Sequence, residues 1–242
     1  MTQYVMLDNV THKNLRVSTG RVQGSSHDVN VAGVFPGEFA QLQREYPLFF
    51  IKNAETGHFA TIALLGFSER ENLYLGDDGW DADYVPLTMR RQPFLIGFQE
   101  QLIDGVPRNV PVTHVDLDHP GVNETEGEPV FLPHGGESPY LERINAILMA
   151  IHQGHKASEA LSQILVGLEL IESLAVDIEF NNGSKQSLEG LYTINEEKLR
   201  QLNADGLAVL HEKGHLQDVF MLLASLANMS ALIERKNRVL AE

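Results

Sequence analysis

The 242-residue chain predicts an α+β protein, with a β-rich N-terminal half built on a hairpin-centred sheet and a mainly helical C-terminal half containing one β-hairpin. Three observations carry this. Residues 47–52 and 58–65 are apolar runs of strand length, and the loop between them ends in Gly57, as a short hairpin loop with one left-handed residue would. Residues 117–137 are rich in Gly, Pro, Glu and His, a loop composition. From Ser138 onward the apolar period becomes helical. The expected organisation is a β-rich lobe over 1–132 and a helical lobe over 133–242 with a hairpin at 174–194, packed as one unit.

Short strands are expected at 3–7 and 29–35, with a polar loop at 18–26 between them. Phe39, Leu42 and Tyr46 recur at helical spacing after Pro36 and Gly37, so 38–46 reads as a short helix that Pro47 stops. Past the central hairpin, 72–75 reads as a strand before the acidic turn at 77–79, and 85–92 as one or two helical turns. Residues 94–98 and 110–116 complete the β-rich half, with Pro111 favouring a strand start or an edge.

Ser138 followed by Pro139 is an N-cap with proline at the first helical position, and Leu141, Ile144, Leu148 and Ile151 form the stripe of that helix. Gly154 is expected to end it, and 158–170 to be a second helix. Asn182-Gly183 predicts the turn of a hairpin between 176–180 and 186–194. Asn195 caps a helix through 202, and Gly214 closes another over 207–213. The last helix is expected to run unbroken from 216 to 240.

The charge balance, 18 basic against 33 acidic residues and −15 net, repels phosphate backbones and anionic lipid. Nucleic-acid binding is therefore not expected. Without cysteine there is no disulfide, thiolate metal site or cysteine nucleophile. No run approaches ~18 consecutive apolar residues, so no membrane span is expected, and the N-terminus lacks the pattern of a secretory signal. These features predict a cytoplasmic protein.

Tyr46-Pro47, Gly66-Phe67, Glu71-Asn72-Leu73, Trp80-Asp81, Tyr84-Val85-Pro86 and Arg90-Arg91-Gln92-Pro93-Phe94 form a pattern. It continues in Thr125-Glu126-Gly127, Pro139-Tyr140-Leu141, Gly190-Leu191-Tyr192 and the stretch 210–214. In these segments the chain resembles the SapC-like family of Gram-negative bacteria over nearly its whole length. The resemblance implies an accessory role beside TonB-dependent receptors, flavin-dependent tryptophan-halogenase-like proteins and cupin-like proteins. It implies no catalytic residues and no cofactor.

Three sets of residues could carry chemistry. His211-Glu212-Lys213-Gly214-His215 fits H-E-x-x-H, which on a continuous helix presents two histidines to zinc and a glutamate to water, with Glu234 as a third ligand. Gly214 opposes this, because it is expected to stop the helix inside the motif. His114 and Asp116, with Asp118 and His119 nearby, offer half of a two-histidine, one-carboxylate iron site. His152 and His155 suit a helix C-terminus, where imidazolium complements the dipole. No G-x-S-x-G, P-loop or G-x-G-x-x-G occurs.

Trp80, Tyr84, Arg90 and Arg91 are the preferred binding set, because aromatics with arginine are the composition of interface anchors. The alternative makes Trp80 and Tyr84 core plugs and pairs the arginines with Asp77, Asp78 or Asp81. The stripe of 216–240, with Met221 and Met229, reads as core, and would equally serve a homodimer or a partner helix. The sequence thus predicts a non-enzymatic accessory protein binding a protein partner, such as a halogenase-like or cupin-like protein, or a small ligand. The alternative is a metal-dependent enzyme, either a zinc hydrolase or a non-haem iron oxygenase.

Overall fold

Continuous apolar runs covered on both faces shelter the central hairpin: Leu48, Phe49, Phe50, Ile62, Ala63 and Leu64 are each no more than 2% exposed. In the computed structural model, which describes residues 4–20, 27–76, 79–103 and 105–241, the chain is α+β with antiparallel sheets. In chain order the first strands are β1 (Tyr4–Met6), β2 (Arg16–Val17) and β3 (Val31–Gly33), and then comes the short helix α1 (Phe39–Leu42). Next are β4 (Leu48–Lys52), β5 (Phe59–Leu64), β6 (Leu75–Gly76), β7 (Gly79–Trp80) and α2 (Leu87–Arg90). They are followed by β8 (Phe94–Ile103), β9 (Val106–Asp116), β10 (Val122–Asn123) and β11 (Glu128–Pro129). The C-terminal part holds α3 (Pro139–Gly167), β12 (Ile171–Glu179), β13 (Lys185–Ile194), α4 (Glu196–Arg200), α5 (Ala204–Glu212), α6 (Leu216–Ser225) and α7 (Asn228–Val239).

Two compact units result. Unit one takes Met1–His27, Leu75–Trp80 and Leu87–Gln153; unit two takes Asp28–Tyr74, Asp81–Pro86 and Gly154–Glu242. Unit one contains the sheet β1-β9-β8, the small sheet β10-β2-β11 and the β6-β7 ladder. Its core gathers Phe94, Val115, Val130, Tyr140, Leu141 and Leu148, all buried. Ser138 caps α3 as its sequence predicts, its hydroxyl accepting from the Leu141 N–H at 3.1 Å.

Unit two holds the five-stranded sheet β12-β13-β4-β5-β3. The late hairpin β12–β13 joins the early one through Leu191 opposite Ile51 and Tyr192 opposite Phe50. Gly183 at φ 80° makes its turn and Gly57 at φ 70° that of β4–β5, backbone positions that favour glycine. Both strands of the central hairpin start on a helix serine. The Leu48 N–H donates to the Ser225 hydroxyl of α6 at 3.0 Å, and the Phe59 N–H to the Ser162 hydroxyl of α3 at 3.1 Å. Asn195 and Asn203 cap α4 and α5 by accepting from the Lys198 and Gly206 N–H groups.

Several local expectations need correction. Gly154 does not end a helix: α3 runs through it for 29 residues. A Cβ there would stand 2.5 Å from Cγ of Phe35, so this glycine lets a ring approach the helix instead of terminating it. His152 and His155 are therefore mid-helix, and the helix-end reading of them fails; His155 stacks edge-on against Phe35 with ring centroids 4.8 Å apart.

The last helix is broken at Leu226 and Ala227 into α6 and α7. By length and composition Leu216–Val239 could cross a membrane, with mean hydropathy 1.5 over an 18-residue stretch of it. Yet the Asn228 side chain just past the break donates to the carbonyls of Gln43 and Tyr46, and Ser225 bonds Leu48, anchors that a lipid-facing helix would lack. The expected strand at 72–75 is reduced to Leu75–Gly76. Positions 21–26 of the polar loop expected at 18–26 lie outside the described residues.

Candidate functional site

Three of the four residues of the preferred set fall in unit one and the fourth in unit two. Trp80 sits in β7 opposite Leu75, half-buried, its ring edge-on to His27 at 6.3 Å. Arg90 closes α2 and is exposed. Arg91 is half-buried and donates to the Phe94 carbonyl at 2.7 Å; burial lowers its pKa, opposed by Tyr4. Tyr84, in unit two, is tied into structure from three directions. Its hydroxyl donates to Glu38, its N–H donates to Glu45, and its carbonyl accepts the Tyr46 hydroxyl at 2.6 Å.

Of the acidic partners considered for the arginines, Asp77 and Asp78 lie outside the described residues. Asp81 is taken by Arg235, which reaches its carboxylate at 2.6 Å and its carbonyl at 3.0 Å while lying 4.5 Å over the Tyr74 ring. Burial pushes the Tyr74 hydroxyl well above the usual tyrosine pKa.

The two metal arrangements do not assemble. His211 lies in the last turn of α5, Lys213 is its C-cap, and Gly214 turns left-handed at φ 78°. The His215 N–H then bonds the Leu210 carbonyl at 2.8 Å and the Gly214 N–H the His211 carbonyl at 3.0 Å, a Schellman closure. The two histidines therefore do not share one helical face; His215 turns its Nδ1 to Asp218 at 2.9 Å, and Glu234 is exposed on α7.

On β9, His114 lies over Gly97, where a Cβ would meet the imidazole at 2.4 Å, and Asp116 caps the Asp118 N–H at 3.1 Å. His119 accepts from the Gly121 N–H at 3.1 Å. Burial, aided by the charge of His27, holds its pKa below the ordinary histidine value against the pull of Asp116. Among the described residues no three His, Asp or Glu side chains converge closely enough to hold a metal.

What unit one does contain is a cavity of about 480 Å³, within the usual range for small-molecule sites. One wall is the sheet, through Met6, Ile96, Pro111, Val112 and Thr113. The opposite wall is α3, through Leu141, Asn145, Leu148 and Met149, and Asp8, Asn9, Phe131 and Glu137 form the rim. A hydrogen-bonded row crosses it: Thr113 Oγ1 donates to Asn145 Oδ1 at 2.8 Å, and Asn145 Nδ2 donates to Glu137 Oε2 at 3.1 Å. Asn9 ties the rim by donating to the Gly135 carbonyl at 2.7 Å. Asp8, whose carboxylate accepts from the Thr11 and Val10 N–H groups, is held below the usual carboxylate pKa by those bonds.

The second feature is an arm. The β8–β9 ladder continues from Phe94 opposite Val115 to Ile103 opposite Val106, whereas β1 covers β9 only as far as Met6 opposite His114. Among the described residues no strand pairs with the outer edge of β8. The arm carries Phe98, Leu102, Ile103 and Val106 at 50%, 75%, 39% and 54% exposure. Pro111, which cannot donate to a ladder, lies beyond the reach of β1, where β9 is itself an edge.

Neither feature was among the candidate residues read from the sequence. Asn145 had a signal: a polar residue four positions after Leu141 and three before Leu148, inside the apolar stripe. Asp104-Gly105 had another, as the pair that most favours a two-residue hairpin turn.

The SapC family model matches residues 7–232 of the 242. The chain belongs to the SapC family. No curated protein and no solved structure matches it significantly.

Proposed function

We propose that this SapC-family chain is a non-catalytic accessory protein that docks a protein partner through the β8–β9 arm. The observation that carries this is the arm's exposed apolar tip: Leu102 and Val106 stand more than half exposed on an extended ladder whose outer strand has no strand paired to its free edge among the described residues. An unpaired edge bearing large apolar side chains is a liability in isolation and is commonly relieved by pairing or packing with another chain. The net charge of −15 keeps the free protein soluble and adds selectivity against acidic partners. Arg90, exposed at the end of α2 in the same unit, supplies a local positive charge.

Halogenase-like and cupin-like proteins of the kind that accompany this family are the partners to test first. The chain is co-expressed with each, and the complex is measured by size-exclusion chromatography with light scattering. A stoichiometric complex that is lost in the double variant Leu102→Ser, Val106→Ser, with melting temperature unchanged, is the expected outcome. A complex that survives those substitutions places the interface elsewhere.

A further inference from the structure

The cavity of unit one has a chemical polarity that its size alone would not reveal. Its lining contains two carboxylic residues, Asp8 and Glu137, and no lysine, arginine or histidine. A carboxylate can only accept hydrogen bonds when ionised, so the Asn145–Glu137 contact fixes the Asn145 amide nitrogen on the Glu137 side. The Asn145 oxygen is consequently on the Thr113 side, where it takes the hydroxyl proton. The row thus spends the Thr113 hydroxyl proton and one of the two Asn145 amide N–H groups internally. What it leaves for a ligand is mainly acceptor capacity, the second carboxylate oxygen of Glu137 and the lone pairs of Thr113, beside one remaining Asn145 N–H.

The rest of the wall is apolar and adaptable. Met6 and Met149 are more than a third exposed, at 44% and 37%, and share the lining with Phe131, Ile96 and Leu148. Thioethers beside an aromatic ring suit flat or irregular apolar groups. A guest with an anionic head would meet two carboxylates and no cation. A neutral guest would leave the Glu137 charge without an opposite partner. A guest with a cationic head and an apolar body satisfies both parts of the wall.

We propose that this cavity is a binding site for a small amine with an apolar, preferably aromatic, body, its ammonium group held by Glu137 at the end of the Thr113–Asn145–Glu137 row. The site is independent of the arm, so either can fail while the other stands.

The test uses the full chain and three probes of one shape and different charge: phenethylamine, phenethyl alcohol and hydrocinnamate. Binding is measured by isothermal titration calorimetry and by ligand-observed NMR. Phenethylamine should bind at least about tenfold more tightly than hydrocinnamate, the least expected from a charge-assisted hydrogen bond. Glu137→Gln should remove about that factor for the amine and leave the alcohol unchanged. Because Glu137 is exposed, that variant should fold normally. Met149→Trp, which fills the cavity from an exposed helix position, should abolish binding of every probe. Equal binding of amine and acid, an amine affinity unmoved by Glu137→Gln, or no measurable amine binding by the wild-type chain would each overturn the proposal.

Discussion

The molecule builds two antiparallel hairpins of the same backbone plan, β4–β5 and β8–β9, and gives them opposite surroundings. Both have a glycine at positive φ in the connection and both pair in continuous register. However, β4–β5 is apolar over most of its length, whereas the outer part of β8–β9 mixes Leu102, Ile103 and Val106 with Gln99, Glu100, Gln101, Arg108 and Asn109. The difference lies at the edges. In unit two, β13 flanks β4 and β3 flanks β5, so each central strand is paired on both sides. Helices also reach down to the strand starts through Ser225 and Ser162. In unit one, β9 is flanked by β1 for three residue pairs only, and β8 has no outer neighbour among the described residues. Burial follows from neighbours rather than from the strands themselves. Large apolar side chains therefore serve as core in one hairpin and stand exposed among polar ones in the other.

The sharpest way to expose that difference is to delete an aromatic ring from each hairpin. Phe50, at 1% exposure, faces Thr61 and Tyr192 across two ladders. Phe50→Ala should cost about 3–5 kcal/mol, the range for truncating a buried aromatic, measured by urea denaturation. Phe98, half-exposed and with its ring against His152 at a centroid distance of 5.1 Å, should cost far less on Phe98→Ala. Equal losses would show that the arm is packed as tightly as the central hairpin and would break the comparison.

The helix cover of β4 can be tested without touching either hairpin. The Ser225 hydroxyl is fully buried, accepts from the Leu48 N–H and donates to the Leu222 carbonyl at 2.6 Å. Ser225→Ala leaves a buried strand N–H without its acceptor, which costs about 1–3 kcal/mol. Hydrogen exchange at Leu48 should accelerate by at least the factor that matches the stability loss. No change in either reading would mean that the helix does not anchor the strand.

Gly154→Ala should give a smaller loss. Alanine favours a helix over glycine by about 1 kcal/mol, so on an open helix face the change would stabilise. Here the new Cβ would fall 2.5 Å from Phe35 Cγ and 2.7 Å from its Cβ. Overpacking of that kind costs about 1–3 kcal/mol, leaving a net loss of about 1 kcal/mol. A stabilised variant would show that Phe35 yields easily.

Gly154 also shows where sequence reading stops. The α+β class, both hairpins of unit two, the Ser138 and Asn195 positions at helix starts and the Gly214 closure all follow from local signals: apolar period, capping chemistry and left-handed glycines. Those signals act within a few residues. Gly154 was read as a helix stop because the ring that explains it is Phe35, far away in the chain. The pairing of β13 with β4 is invisible for the same reason, since these partners are farther apart in sequence than the other paired strands among the described residues. The cavity depends on Thr113, Glu137 and Asn145 meeting across a sheet, a loop and a helix. Of these, Asn145 alone departed from its local pattern. The preferred set, Trp80, Tyr84, Arg90 and Arg91, was chosen by composition, and composition does not distinguish a tyrosine bonded to Glu38 from an interface anchor.

The smallest expected effect is on the arm, where smallness is itself informative. Leu102 is 75% exposed near the end of β8. Leu102→Ser removes almost no packed surface, so the stability change should stay within about 0.5 kcal/mol, as for surface positions generally. A leucine at such a position gives the isolated fold nothing, while it raises the tendency of an unpaired edge to associate. Light scattering of the wild-type chain against Leu102→Ser at rising concentration separates two uses of that residue. If both remain monomeric, the leucine is available to a different protein. If the wild-type chain self-associates and the variant does not, the arm closes on a second copy. A loss of stability comparable to that of Phe50→Ala would instead place Leu102 in a core and remove the basis for docking through the arm.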